Sequence, residues 1–373
     1  MSNTVKVGHI ADVHLRIQQY GYRIRGHHFF SAFMNAITAL CDAGADLILC
    51  SGDLFDTTTP SSSIVIDQMA KADELLKQRG VLMFVSPGNH DSNTPHWSRA
   101  CRNTYGACSA GVVSVGDRGR EPEQFYCKGL SIAALPWLPP DEMKAAMAEA
   151  DEADILMWHG EIKEFCGYPK PNTIEVNDFP KKWQLIAMGD QHVHRSITRE
   201  DGLVIAYPGS TEMCSESEEE EKSAWLHVFE NGVYSHAESV PFETVPKCKL
   251  LLNKPEDLDR ATDKIKEGSV VYCHFNRELK DVRATLLRAL KVVDKEVAII
   301  HMLPFSSSKQ ETKLVTLEEN RNRILTPQAF IAEKAPEYFG ENPDRALVDL
   351  SIELLTPGMQ AKDSIDKYCM YKL

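Results

Sequence analysis

Basic residues are scarce in this 373-residue sequence: 41 Lys and Arg stand against 54 Asp and Glu, a formal net charge of −13. Such a chain argues against a broad nucleic-acid surface of its own, because phosphate binding draws on Lys and Arg. Bound metal ions or a partner subunit would have to supply positive charge locally. Long apolar runs are also missing. None approaches the ~18 residues that a membrane-spanning helix needs. The opening MSNTVKVGHIADVHL has no signal-peptide core, and Asp12 falls where one would have to continue. The expectation is a cytosolic chain with no membrane association. Ten cysteines are scattered without a single Cys-x-x-Cys pair. That argues against a zinc ribbon or a thioredoxin-like motif and fits a reducing compartment. There is no internal repeat and no long low-complexity segment.

What is present is an alternation. From residue 1 to about 240, short apolar runs alternate with polar turns and helical stretches. The runs are VKVGHI (5–10), DLILC (46–50), VLMFV (81–85), LSIAAL (130–135), ADILMW (153–158), QLIAM (184–188) and LVIAY (203–207). Runs this short and this apolar suit strands buried on both faces. Helices are expected over 26–42, where Phe29, Phe30, Phe33, Ile37 and Leu40 recur at helical spacing, and over 64–77 after a serine cluster. The pattern is that of an α/β domain with a layered sheet core. ESVPFETVPKC, around 240–248, reads as a linker. After it come an expected strand at 249–253, a helix at 255–265, a strand at 270–275, a helix at 282–292 and a strand at 297–303. SSSKQET (306–312) reads as a break, followed by short helices at 327–334 and 345–355.

The chemically capable residues sit immediately after the strands. Asp12-Val13-His14 follows the first, and Gly52-Asp53-Leu54-Phe55-Asp56 the second. Gly88-Asn89-His90-Asp91 follows the third, His159-Gly160 ends ADILMW, and Gly189-Asp190-Gln191-His192-Val193-His194 follows QLIAM. In open α/β sheets, loops at the carboxyl ends of strands form the site crevice. Carboxylate oxygens with imidazole nitrogens suit manganese, iron or zinc, and one carboxylate can bridge two ions about 3.5–4 Å apart. Each motif alone is weak: Gly-Asp is common, and His-x-His can be an exposed strand edge. Five in order, each after an expected strand, point to a two-metal hydrolase.

That order resembles the calcineurin-like metallophosphoesterases. The spelling of HIADVHL (9–15), GDLFDTTTPSS (52–62), VSPGNHDS (85–92) and YPGSTE (207–212) is similar to the SbcD nucleases, the bacterial and phage counterparts of the nuclease in the MRN double-strand-break complex. The resemblance implies a layered metallophosphoesterase β-sandwich flanked by helices over 1–243. It also implies a small α/β capping, DNA-binding domain over 247–304, and a short helical C-terminal tail over 313–373 that binds a partner. It implies two divalent ions, with manganese expected. One would be held by Asp12, His14, Asp53 and His194, and the other by Asp53, Asn89, His159 and His192. His90 would act on the leaving oxygen without ligating, oriented by Asp56. The last motif departs from the family's Gly-His-x-His. An alignment shifted by two residues, with Asp190 and His192 as ligands, is the alternative.

By the same resemblance the chain would be a manganese-dependent DNA exonuclease or endonuclease. It would work as a homodimer with an SbcC-type ATPase. The competing function is a two-metal phosphatase or phosphodiesterase acting on a small molecule or phosphoprotein, although GDLFDTT lacks the Asp-Arg-Gly ending typical of protein phosphatases. Arg16, Arg23 and Arg25 follow the first motif and could grip phosphates or line a solvated loop. Asp56 could equally be a turn residue. SESEEEEK (215–222) is expected as a solvated hairpin, and His9, Trp158 and Trp183 as core.

Overall fold

The computed structural model describes residues 3–58, 60, 63–90, 111–115, 122–166, 173–218, 221–258, 260–293 and 296–305. The segment 313–373, with the helices expected at 327–334 and 345–355, lies outside the described residues, as does the break at 306–312. Among the described residues, no helix is long and apolar enough to cross a membrane.

Two six-stranded sheets stack on each other. The first contains β1 (Thr4–Ile10), β2 (Leu47–Ser51), β3 (Leu82–Ser86), β4 (Val112–Ser114), β11 (Ser223–Glu230) and β12 (Val233–Pro241), in the order β12-β11-β1-β2-β3-β4. The second contains β5 (Glu123–Cys127), β6 (Leu130–Ala134), β7 (Ile155–His159), β8 (Leu185–Gly189), β9 (Arg195–Thr198) and β10 (Val204–Tyr207), in the order β5-β6-β7-β8-β10-β9. Successive side chains on a strand face opposite ways, and the core follows that rule. Leu47 and Leu49 of β2 join Ile155 and Met157 of β7 and Leu185 and Ala187 of β8 between the sheets. Ile48 and Cys50 point the other way, under helix α1 (Ile24–Asp42) and helix α2 (Ser63–Arg79), where they meet Phe33, Ile37, Leu40, Met69 and Leu76. Leu156 and Trp158 face Met143 and Met147 of α3 (Pro140–Glu149). Both central regions are therefore apolar on both faces, which is why their sequences read as unbroken runs.

Register positions the site. β1 pairs in parallel with β2, Ile10 opposite Cys50, and β2 with β3, Ser51 opposite Ser86. In the second sheet β7 pairs in parallel with β8, His159 opposite Gly189. Five carboxyl ends thus finish level at one edge of the sandwich.

The expected linker is shorter than its two prolines suggested, since β12 runs to Pro241 and β13 (Lys247–Leu252) begins six residues later. β13, β14 (Val270–Asn276) and β15 (Ile299–Phe305) form a parallel three-stranded sheet with α4 (Val282–Val292) against it. The helix expected at 255–265 is absent; two 3₁₀ turns, Pro255–Asp257 and Thr262–Lys264, stand there instead.

Arg25 is not a phosphate grip. It is buried in the first turn of α1, where its Nη1 donates to Glu212 Oε1 at 3.1 Å. Its Nη2 donates to the Met213 carbonyl at 2.6 Å, and its Nε to Gln19 Oε1 at 2.9 Å. Both charged side chains of the Arg25–Glu212 pair are almost wholly inaccessible. Arg25→Met should therefore destabilise the fold by about 3–5 kcal/mol, because it strands a buried carboxylate. Urea denaturation checks this, and an unchanged midpoint would mean that the pair carries no such weight.

Candidate metal centre

The loops after β1, β2, β7 and β8 are held together by their backbones before any side chain is considered. Asp12 N–H donates to the Gly52 carbonyl (3.2 Å), His14 N–H to Asp53 (2.9 Å), and Gly160 N–H to Gly189 (3.1 Å). Gly52 has φ +91°, and a Cβ there would collide with the His159 ring. Glycine is thus required both for the turn and for the approach of that imidazole. Four non-glycine residues of the site share left-handed backbone: Asp12 (φ 51°), His14 (φ 49°), Asp53 (φ 52°) and Asp190 (φ 96°). Each such residue costs of order 1–3 kcal/mol, and strain of this kind clusters at functional sites.

The side chains converge. Asp12, Asp53 and His159, all buried, bring one ligand atom each within 4.8 Å of one another; so do His14, Asp53 and the more exposed His90, and His14, His192 and Cys214. His159 Nε2 lies 3.5 Å from Asp53 Oδ2, 3.7 Å from Asp190 Oδ1, 4.0 Å from Asp12 Oδ1 and 2.9 Å from Asn89 Oδ1. Its Nδ1 is 2.8 Å from the Ser51 carbonyl. A carbonyl can only accept, so Nδ1 donates there and Nε2 is the ring nitrogen turned toward the carboxylates, an arrangement that commonly supports a metal-binding imidazole. On the other side, His14 Nε2 is 3.6 Å from Asp53 Oδ2 and 3.3 Å from His192 Nε2, and His192 Nε2 is 3.8 Å from Asp12 Oδ1. Asp53 Oδ2 thus lies within 3.6 Å of an imidazole in each group.

Three carboxylates and three imidazoles packed this closely form a donor set suited to divalent cations. Burial works against the Asp53 charge, but His159 outweighs it and holds that carboxyl below its ordinary range. Burial likewise disfavours the His159 cation, while Asp53 and Asp12 raise it well above normal. Burial lifts Asp190 to about 6; His159 opposes the rise and Asp12 adds to it. Carboxylates that repel one another in a buried cleft are stabilised by cations between them.

The last motif is where sequence and geometry part. Asp190 and His192 reach the cluster. His194 belongs to none of these ligand groups among the described residues: its Nδ1 is 3.1 Å from the Pro208 carbonyl and its ring stacks on Trp225 at 3.9 Å. His192 faces His14 and Asp12, not His159 and Asn89, so its expected partners change as well. The physical reason is the backbone at Asp190. Its φ of 96° and its N–H bonds to Asp12 Oδ1 and Oδ2 (3.1 and 3.0 Å) turn the loop inward at 190, two residues earlier than expected. This is the shifted alternative, Asp190 with His192, that the sequence leaves open.

His90 is half exposed. Its Nδ1 lies 3.3 Å from the Asp56 carbonyl and 3.7 Å from Asp56 Oδ1, and its ring meets His14 edge-on at 4.8 Å. Asp56 lies closest to Arg16 (2.6 Å to Nη2) and is 3.5 Å from His14 Nδ1. Sequence reasoning missed Glu218 entirely. The acidic run is not simply solvated: Glu218 and Lys222 are buried, and Glu218 Oε1 accepts from His192 Nδ1 at 3.0 Å. Burial would lower His192, but its hydrogen bonds to Cys214 and Glu218 push it up to about 11.

A two-sheet sandwich with buried carboxylates and imidazoles at the carboxyl ends of its strands defines a metal-dependent phosphoesterase architecture. Residues 5–194 match the calcineurin-like phosphoesterase family model, and the chain belongs to that family. Among curated proteins it is similar to the DNA double-strand break repair protein Mre11 of Saccharolobus solfataricus, 26% identical over 223 residues, covering 57% of this chain and 56% of that one. It is also similar to the protein of that name from Thermoplasma acidophilum, 30% identical over 225 residues, covering 56% and 57%. The matched stretch thus spans just over half the length of these relatives. A crystal structure of a dimetal phosphatase from Danio rerio covers 64% of this chain and 99% of that one at 10% identity, with a TM-score of 0.38, too low to bear on the site.

Proposed function

We propose that the chain is a DNA nuclease that hydrolyses phosphodiester bonds at a two-metal centre in double-strand-break repair. Asp12, His14, Asp53 and His192 would hold one ion, and Asp53, Asn89, His159 and Asp190 the other, with Asp53 shared. Ions bound there supply Lewis acidity and a nucleophile at neutral pH. The chain's own groups do the rest. His159 keeps Nε2 directed inward through its bond to Ser51. His90, exposed at the mouth and beside His14, is placed to contact the scissile phosphate and to hand a proton to the leaving oxygen. Asp56 steadies His90 and Arg16 on the same rim.

The observation that carries this proposal is the convergence of Asp12, Asp53, His159, Asp190, His14 and His192 from four separate strand ends. The curated relatives named as double-strand break repair proteins support DNA as substrate. Manganese is the proposed metal, on the strength of the mixed oxygen and nitrogen donors. The unit at 247–304 is proposed to bind DNA, and 313–373 to bind an SbcC-type ATPase. Such a partner would add basic charge, which is scarce in a chain of net charge −13. Homodimerisation is part of the same proposal.

A digestion assay tests it. Linear duplex, single-stranded and hairpin DNA are compared with a small phosphodiester under manganese, magnesium and chelator. Manganese-dependent DNA cleavage is expected. Rapid turnover of the small ester with every DNA left intact would favour a small-molecule phosphodiesterase instead.

A further inference from the structure

Glu218 is saturated with donors. Its Oε1 accepts from His192 Nδ1 (3.0 Å) and from the backbone N–H groups of Cys214 and Ser215 (both 3.1 Å). Its Oε2 accepts from Ser210 Oγ (2.9 Å) and from Lys222 Nζ (2.5 Å). Only 8% of the side chain is exposed. Lys222 is buried beside it and also reaches Ser210 Oγ at 2.8 Å and the His192 carbonyl at 3.3 Å. With Nδ1 engaged in this way, the one ring nitrogen of His192 left to coordinate is Nε2, the atom that faces His14 and Asp12. The same loop is gripped from its other side. Lys247, the first residue of β13, donates to the carbonyls of Glu216 and Glu218, and His274 of β14 bonds the Glu216 carboxylate.

We propose that Glu218 is a positioning residue that fixes the tautomer and direction of His192 at the metal centre. Through Lys247 and His274, the loop carrying it ties that ring to the three-stranded unit. A free imidazole rotates about two torsions and exchanges tautomers. A carboxylate locked by further donors of its own removes both freedoms. The unit formed by β13, β14 and β15 thereby acquires a short hydrogen-bonded route to that ring: Lys247 to the Glu218 carbonyl, and the Glu218 carboxylate to His192. The inference rests on the proposed role of His192 as a ligand.

Manganese titration by calorimetry, with bound metal counted by elemental analysis after dialysis, tests this on the full chain. Wild type is compared with Glu218→Gln, Glu218→Ala, His192→Ala, Lys222→Met and Lys247→Met, with a thermal melt for each. Loss of a supporting carboxylate typically weakens a metal site about 10–100-fold. Glu218→Gln should weaken one of two ions by that factor and leave the other unchanged. His192→Ala should lose the same ion, and Lys247→Met should weaken it to a smaller degree. If Glu218 served only to neutralise Lys222, then Glu218→Gln and Lys222→Met would both lower the melting temperature while both ions bound as in wild type. That result, with His192→Ala still losing an ion, overturns the positioning role and leaves the ligand assignment standing. Full retention of both ions by His192→Ala overturns the assignment and the proposal together. Wild-type affinity in Lys247→Met overturns the tie to the three-stranded unit. Glu218→Gln, which keeps an acceptor for Lys222, covers the case in which Glu218→Ala fails to fold.

Discussion

Asp53→Ala is expected to release both ions and to lower DNA hydrolysis by at least about a thousandfold, since a catalytic metal pair contributes several kcal/mol. The expectation follows from position. Asp53 Oδ2 is 3.6 Å from His14 Nε2 and 3.5 Å from His159 Nε2, while Oδ1 accepts from the His90 N–H at 2.9 Å. No other carboxylate of the cluster stands this close to both imidazoles. Replacement of Asp190, which approaches His159 alone among the imidazoles, should cost one ion and spare the other. Metal counted per chain after dialysis separates the two cases. Retention of one tightly held ion in Asp53→Ala would show that this carboxylate is not shared.

His90→Ala should have the opposite signature. Hydrolysis falls by about 10²–10⁴-fold, the range of a lost general acid, while metal content stays at two ions per chain. The contact that His90 makes with Asp53 is through its backbone N–H, which the substitution preserves. Its ring instead stands at the mouth, against the His14 edge and the Asp56 carbonyl. The ring's nearness to His14 and Asp53 makes ligation the competing role. Loss of an ion in His90→Ala would decide for it.

Much of the fold was legible because the central strands are buried on both faces. LILCS of β2, ILMWH of β7 and LIAMG of β8 are buried along their whole length and apolar up to their last residues, and announce themselves. The strands that went unassigned lie mainly at sheet edges. Along β5 and β9 half-buried residues alternate with exposed ones, and β12 carries Glu238 and His236 on a mostly accessible surface. Such short, half-polar stretches differ little from loop. The site was legible for a different reason: Asp12, His14, Asp53, Asn89 and His159 fall directly at strand ends, where chain order dictates place. Asp190 was legible only as an alternative and Glu218 not at all, because each depends on backbone torsions and long-range packing. A φ of 96° at Asp190 cannot be read from GDQHVH. Nor does an acidic run disclose that its fourth residue turns inward to a histidine 26 positions earlier. The helix expected at 255–265 failed because Pro255, Glu256 and Asp257 close a 3₁₀ turn, with Asp257 accepting from the Asn253 and Lys254 N–H groups.

The most direct test is anomalous diffraction from crystals soaked in manganese. Two peaks are expected: one among Asp12, His14, Asp53 and His192, the other among Asp53, Asn89, His159 and Asp190, with His194 still stacked on Trp225. A single peak would contradict the proposed two-ion centre, and a peak coordinated by His194 with Asp190 turned away would contradict its proposed ligands.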